Sequence, residues 1–363
     1  MSADLHLRRA IIARLFAESL GVAEVGPDDG FFHLGGRSIE AMTLAAKIRS
    51  ALGAEVGIRQ IFEAPSPRRL AASLTRPNTR SSLSPVFPLR IGLGTPIFCV
   101  HPLIGLSWCY STLIDPIKSG DPIYALQAQG IEPSNEHRRL TADERLECYV
   151  RCVKSIQETG PYRLIGWSLG GNIAHSIACR LQGQGDSVSL LALLGSFPAP
   201  AGLFQARSGL PTAGAYLDYA ATQMGYHDRP GPIPAVTMKD FTDFVHENSG
   251  RRIGHLSYAD VTRIVHTSIE TLKAFSQTGD KFSGRLLLIE SADSDIEHGE
   301  QDTDWSSYAD ETVTHVIDCR HGDMLEPGPA STIGSIVSDE LSIGRGAHHA
   351  RSKRSAAVTR RPL

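Results

Sequence analysis

The sequence predicts an α/β domain with a mostly parallel sheet covered on both faces, interrupted by a helical lid and preceded by a small four-helix bundle. Three observations carry this. From Pro96 onward short apolar runs alternate with amphipathic stretches, the rhythm of strand–helix–strand crossovers. Before Arg76 the apolar residues recur only at three- and four-residue spacing, which is helical. Between these parts a linker is expected over 76–90, because Arg76 to Pro85 is Pro, Asn, Thr, Ser and Arg with almost nothing apolar.

In the first unit, residues 1–75, Leu7, Ile11, Ile12, Leu15, Phe16 and Leu20 form one face of a helix that stops before Gly21. A loop from Gly26 to Gly30 leads through Phe31-Phe32-His33-Leu34-Gly35-Gly36-Arg37-Ser38 to a second periodic run, so Ser38 stands at a helix start. A short segment around Ile58 to Phe62 follows, then a helix opened by Ser66-Pro67, with serine as cap and proline at the first helical position. In the second unit, 91–343, strands are expected at 97–100, 123–126, 162–165, 188–194, 286–289 and 313–317. Helices are expected from about Leu106, across 142–156, from Leu169 and from about Ala330. Between about 198 and 273 the pattern is helical without strands, which makes the lid. From Gly344 onward six Lys or Arg, two His and no acid predict a basic, disordered tail over 344–363.

Composition excludes several classes. The 363 residues hold 41 % hydrophobic and 21 % charged residues, ordinary globular usage with room for a core. Lys plus Arg is 36 against 39 Asp plus Glu, a formal net charge of −3, so no global field recruits nucleic acid or an anionic membrane. No run approaches the ~18 apolar residues of a spanning helix. The first residues carry charge where a signal peptide needs an apolar stretch, so the expected location is cytoplasmic. The six cysteines are scattered through apolar segments without C-x-x-C pairs; they read as reduced core residues, and no metal site is expected.

The chemistry is concentrated in Gly166-Trp167-Ser168-Leu169-Gly170, which lies between the apolar run Leu164-Ile165 and a helix with inner face Ile173, Ala174, Ile177, Ala178 and Leu181. Flanking glycines permit a sharp turn that raises a serine hydroxyl at the sheet edge, with a helix amino terminus behind it favouring developing negative charge. Such a serine needs a base, and His321 follows the last strand. His101-Pro102-Leu103 follows the first strand, where backbone amides supply half of an oxyanion hole; the expected donors are the amides of Leu103 and Leu169. His101 itself reads as a structural histidine holding that loop.

These motifs resemble a known pair of domains. Ile97-Phe98-Cys99-Val100-His101-Pro102, Gly105 to Tyr110, Tyr124 to Gly130 and Gly166 to Gly171 resemble the type I thioesterase domains, α/β-hydrolases, that end nonribosomal peptide synthetases. Asp29 to Ile39 and Ile61 to Ser66 resemble the peptidyl carrier domain that precedes them. The resemblance implies that Ser38 carries 4′-phosphopantetheine, added by a phosphopantetheinyl transferase, and that upstream synthetase modules or subunits supply an acyl or peptidyl chain on its thiol. It also implies that Ser168 takes over this chain with His321 as base, and that Leu203, Phe204, Tyr216, Tyr219, Met224, Phe241 and Phe244 of the lid offer an apolar acyl site. Hydrolysis and cyclisation are not separated by these residues.

One position departs from the family. Its acid usually ends the strand after the nucleophile helix, in Leu-Leu-Asp, whereas this chain reads Leu193-Leu194-Gly195-Ser196. In many α/β-hydrolases the acid follows the next strand, and Leu286 to Asp293 places Asp293 there, within a local acid run of Asp293, Asp295 and Glu297. The expected triad is Ser168, His321 and Asp293. Two alternatives stay open: a weakly active or non-catalytic module that binds acyl chains or docks other subunits, suggested by Gly195, and an editing thioesterase, which a fused carrier disfavours.

Overall fold

The computed structural model describes residues 3–75, 81–132, 140–198, 257–275, 279–292 and 304–358. Four helices open it: α1 (Ala3–Leu20), α2 (Ser38–Leu52), α3 (Ile58–Glu63) and α4 (Pro67–Ser73). α4 starts as its sequence dictates, with the Arg69 N–H donating to the Ser66 hydroxyl at 3.4 Å and Pro67 in the first turn. The bundle core is aromatic. Phe16 meets Phe31 edge-on at 5.1 Å between ring centroids, and Phe32 stacks on Phe62 at 4.4 Å. Phe62 lies 5.8 Å from Phe87, so this core runs directly into the sheet.

Phe87 belongs to a strand that corrects the linker expectation. Val86–Arg90 forms β1, paired antiparallel with β3 (Ile123–Leu126) at the sheet edge and burying Phe87 and Leu89. The period-two pattern of Phe87 and Leu89 is short and follows a long polar run, which hides it; Pro88 is tolerated because the strand is an edge.

The other strands are β2 (Ile97–Val100), β4 (Tyr162–Trp167), β5 (Val188–Leu194), β6 (Phe282–Ser291) and β7 (Ala309–Ile317). The helices are α5 (Ala142–Ile156), α6 (Leu169–Gly183), α7 (Tyr258–Ala274) and α8 (Pro327–Val358). The sheet order is β1-β3-β2-β4-β5-β6-β7, parallel throughout except for β1. Alternate strand residues feed two cores. Leu164, Leu191 and Leu193 pack with Ile173 and Ile177 of α6, while Ile165, Ala192 and Leu194 join Ile333 and Val337 of α8 in a core continuous with the bundle. The chain leaves β2 toward β3 on one side and grows from β4 toward β7 on the other. At such a switch point the loops leaving the carboxyl ends diverge and open a crevice.

Two further expectations are corrected. The helix expected from Leu106 is a 3₁₀ turn, Trp108–Leu113, because the Ser107 hydroxyl is bonded to the Leu126 carbonyl and Ser111 and Thr112 are weak helix formers. The tail expected to be disordered is helical to Val358: α8, already packed through Ile333, Val337 and Leu341, propagates at low cost into the Ala, Arg and Lys that follow. Of the expected lid, 199–256 lies outside the described residues; α7, at its end, is helical. All six cysteines are free thiols, and among the described residues no helix is long and apolar enough to cross a membrane.

Candidate active site

β4 ends at Trp167 and α6 begins at Leu169, so the chain reverses within one residue. Ser168 makes that turn at φ 56° and ψ −128°, the one non-glycine residue at positive φ among the described residues. Backbone of this kind costs of order 1–3 kcal/mol and persists where the surroundings over-determine it. Here they do. The Ser168 N–H donates to the Leu194 carbonyl at 2.9 Å, and its carbonyl accepts from the Gly171 N–H at 2.9 Å and the Ser196 hydroxyl at 2.8 Å. The flanking glycines supply space: a Cβ at Gly166 would stand 2.1 Å from the Gly170 carbonyl oxygen, and one at Gly170 2.5 Å from that of Val100. Tyr110, the last residue of the Gly105–Tyr110 motif, to which the sequence assigned no role, ties β4 to β2; its hydroxyl accepts from the Trp167 N–H and donates to the Val100 carbonyl, both at 2.7 Å.

Ser168 lines a cavity of about 100 Å³ with Leu103, Leu169, Asn172, Phe197, Leu272 and Phe275. Leu169 is the first residue of α6, so its N–H is among the donors that no helical carbonyl can satisfy. Leu103 arrives from the loop after β2, on the other side of the switch point. The structure thus brings Leu103 and Leu169, the residues expected to supply the oxyanion donors, to the same cavity as the serine. Asn172 holds the wall by donating to the Phe197 carbonyl at 3.1 Å. Leu272 and Phe275 come from α7 and its end, where their apolar spacing is indistinguishable in sequence from ordinary core.

His321 opens a single 3₁₀ turn after β7 and is 6 % exposed. Its ring lies 5.7 Å from that of Trp167, tilted by 32°. It also covers Gly195, where a Cβ would stand 2.6 Å from Nδ1 and 3.0 Å from Cε1. The end of β5 therefore touches both residues: Leu194 receives the Ser168 amide, and Gly195 underlies the imidazole. The Nδ1 edge of the ring occupies the space into which a side chain at 195 would project. β6, whose Ile289 carbonyl accepts from the Gly195 N–H at 2.7 Å, ends at Ser291 on this same sheet edge. Asp293, two residues on, lies outside the described residues, as do Asp295 and Glu297.

His101 is fully buried, its Nδ1–H donating to the Pro102 carbonyl at 2.7 Å and its Nε2 accepting from the Tyr149 hydroxyl at 2.5 Å. Burial pushes its pKa down to about 4, so it is a neutral clamp on the Leu103 loop. Ser38 is the first residue of α2 and half-buried. The cap is Arg37, whose backbone N–H donates to Glu40 at 3.1 Å, so the Ser38 hydroxyl is not spent on capping. Two side-chain contacts tie this loop to the second unit. Arg37 meets Glu326, five residues beyond His321, at 2.7 Å, and His33 pairs with Asp115.

A strained serine between a parallel strand and a helix, amides beside it and a histidine after the last strand define an α/β-hydrolase. Residues 95–339 match the thioesterase domain family and residues 10–74 the phosphopantetheine attachment site. The chain belongs to the thioesterase domain family, behind an attachment site that carries 4′-phosphopantetheine on a serine. A dimodular nonribosomal peptide synthase of Bacillus subtilis is 35 % identical over 91 % of this chain, which spans 14 % of that relative's length. Among solved structures, a four-domain nonribosomal peptide synthetase, holo-AB3403 bound to AMP and glycine, shares the fold at TM-score 0.64 and 21 % identity, covering 93 % of this chain and 26 % of that one. The Vlm2 thioesterase domain does so at 0.54 and 17 %, covering 70 % and 96 %.

Proposed function

We propose that this chain releases an acyl or peptidyl group from the carrier thioester at Ser38 through an acyl-enzyme on Ser168. The observation that carries the reading is Ser168 at positive φ on the switch-point edge, with His321 seated over the adjoining strand end. The uncapped, half-buried hydroxyl of Ser38 fits a phosphopantetheine attachment point, and that group supplies the thioester that presents the acyl chain. The Ser168 oxygen attacks the thioester carbon while His321 Nε2 takes its proton; the C–S bond breaks, and the imidazolium returns the proton to the departing thiolate. The Leu103 and Leu169 amides hold the oxyanion, and Asp293 steadies the Nδ1 proton. Water or a nucleophile within the chain then takes the acyl group, giving a free acid or a ring. The partners are the upstream modules of a nonribosomal peptide synthetase and a phosphopantetheinyl transferase, in the cytoplasm.

Labelling by a fluorophosphonate tests this. Wild type takes up one probe, Ser168→Ala none at an unchanged circular dichroism melt, and Asp293→Asn labels roughly 10⁴-fold more slowly, as when a serine triad loses its acid. Full labelling of Ser168→Ala would place the nucleophile elsewhere.

A further inference from the structure

Trp167 ends β4 at the centre of the sheet, and His321 follows β7 at its edge, yet their rings meet. Trp167 is 2 % exposed and His321 6 %, so water screens little between them. The centroids stand 5.7 Å apart with a tilt of 32°. Flat rings this close and this near to parallel overlap as an offset stack, since rings lying side by side would stand farther apart. The separation is inside the ~6 Å over which the negative face of an indole attracts a cation. Backbone holds the indole in place: the Trp167 N–H donates to the Tyr110 hydroxyl at 2.7 Å, and Trp167 is in register with Leu194, whose carbonyl accepts from the Ser168 N–H. The indole Nε1–H itself is buried with no hydrogen-bond partner among the described residues. A buried tryptophan ordinarily finds one, and an unpaired buried donor is destabilising, so hydrogen bonding does not account for an indole at this position. A phenyl ring would bring no donor to orphan. What the indole has beyond phenyl is a stronger attraction of its face for positive charge.

We propose that Trp167 is a positioning residue for the base: its ring face holds the His321 imidazole and stabilises the imidazolium that forms when Ser168 is acylated. The inference rests on His321 as the base of Ser168. The positive charge appears only during the reaction, when the Ser168 proton passes to Nε2, so an attraction for it favours the transition state over the resting enzyme. A buried cation needs compensation. Gly195 brings no carboxylate from the end of β5, and a Cβ there would already stand 2.6 Å from Nδ1. The indole supplies compensation from the face of the ring. A carboxylate such as that of Asp293 would act at the Nδ1 edge, so the two contributions are separate.

The test uses the full chain with fluorinated tryptophans installed at position 167 alone, Trp108 and Trp305 staying as they are. Mono-, di- and tetrafluorotryptophan nearly keep the shape of the indole while draining negative charge from its face. With Nε1–H unpaired, they disturb no hydrogen bond of the ring. The rate of fluorophosphonate labelling at saturating probe should fall stepwise along the series, by roughly ten- to thirty-fold for the tetrafluoro ring, the worth of a desolvated cation–π contact. The half-saturating probe concentration and the melting temperature should stay unchanged, which a packing role alone would not predict. Trp167→Phe, with a weaker face, should fall between wild type and Trp167→Leu. A rate indifferent to fluorination, or Trp167→Leu labelling as fast as wild type at an unchanged melt, overturns the inference and leaves Ser168 and His321 standing. If the unsubstituted chain takes up no probe, the reading of Ser168 fails and the role of Trp167 with it.

Discussion

Restoring the family acid by Gly195→Asp will slow this enzyme. Gly195 sits at φ 50°, and a Cβ added there stands 2.6 Å from His321 Nδ1 and 2.8 Å from Met324 Sδ. To regain an ordinary 3.4 Å contact the imidazole must retreat by about 0.8 Å, and a misplacement of ~1 Å in a catalytic group costs ~10²-fold. The carboxylate begins one bond beyond a Cβ that is already too close, so it has no room to accept from Nδ1 in line. Aspartate tolerates left-handed backbone at a cost of ~1 kcal/mol, which for a domain of this size lowers the melting temperature by ~2–4 °C. The assay is the second-order rate of fluorophosphonate labelling in wild type, Gly195→Asp and Gly195→Ala. Alanine carries the clash without the charge, so both variants should fall by about 10²-fold. Labelling of Gly195→Asp faster than wild type would refute the reasoning, because it would mean that His321 moves freely and that position 195 is simply a lost acid.

Three other outcomes are expected. Ser168→Gly should abolish labelling yet raise the melting temperature by a few degrees, since relief of ~1–3 kcal/mol of strain exceeds the ~0.5–1 kcal/mol entropy cost of glycine; a lower melting point would show that Ser168 is unstrained. His101 has its folded pKa depressed to about 4 from 6.5, so the unfolded chain binds the extra proton in that window and stability falls as pH drops from 6.5 to 4, by roughly 3 kcal/mol in urea denaturation. In His101→Gln that part of the pH slope should vanish. A double-mutant cycle of Arg37→Ala and Glu326→Ala should give a coupling of ~0.2–1 kcal/mol, the worth of a partly exposed pair; strict additivity would show that the contact contributes nothing.

How much was legible depends on how local each feature is. The turn at Ser168 is written in five consecutive residues, because the space that Gly166 leaves is filled by the backbone of Gly170 and Gly171, a few positions away, although Gly170 makes room for the distant Val100 carbonyl. Helix α4 announces its start through Ser66 and Pro67 for the same reason, and the strand–helix rhythm from β2 onward is carried by periodicity within each segment. β1 escaped because five residues of alternation are too short to stand out against a polar neighbour. The path of α8 through the basic tail escaped because propagation from a packed first half outweighs weak local propensity.

The sequence by itself determined the α/β class, the bundle before it, the position of Ser38 at a helix start and the placing of Ser168 and His321 after their strands, since each follows from short-range spacing and backbone sterics. Only the tertiary structure decided that His321 covers Gly195, that Leu272 and Phe275 close the cavity over Ser168 and that Arg37 reaches Glu326. Arg37 and Glu326 are 289 residues apart, and no local pattern records a contact made when two separately folded surfaces meet. That meeting is a matter of packing density and paired charge, which exist only once the chain has closed on itself.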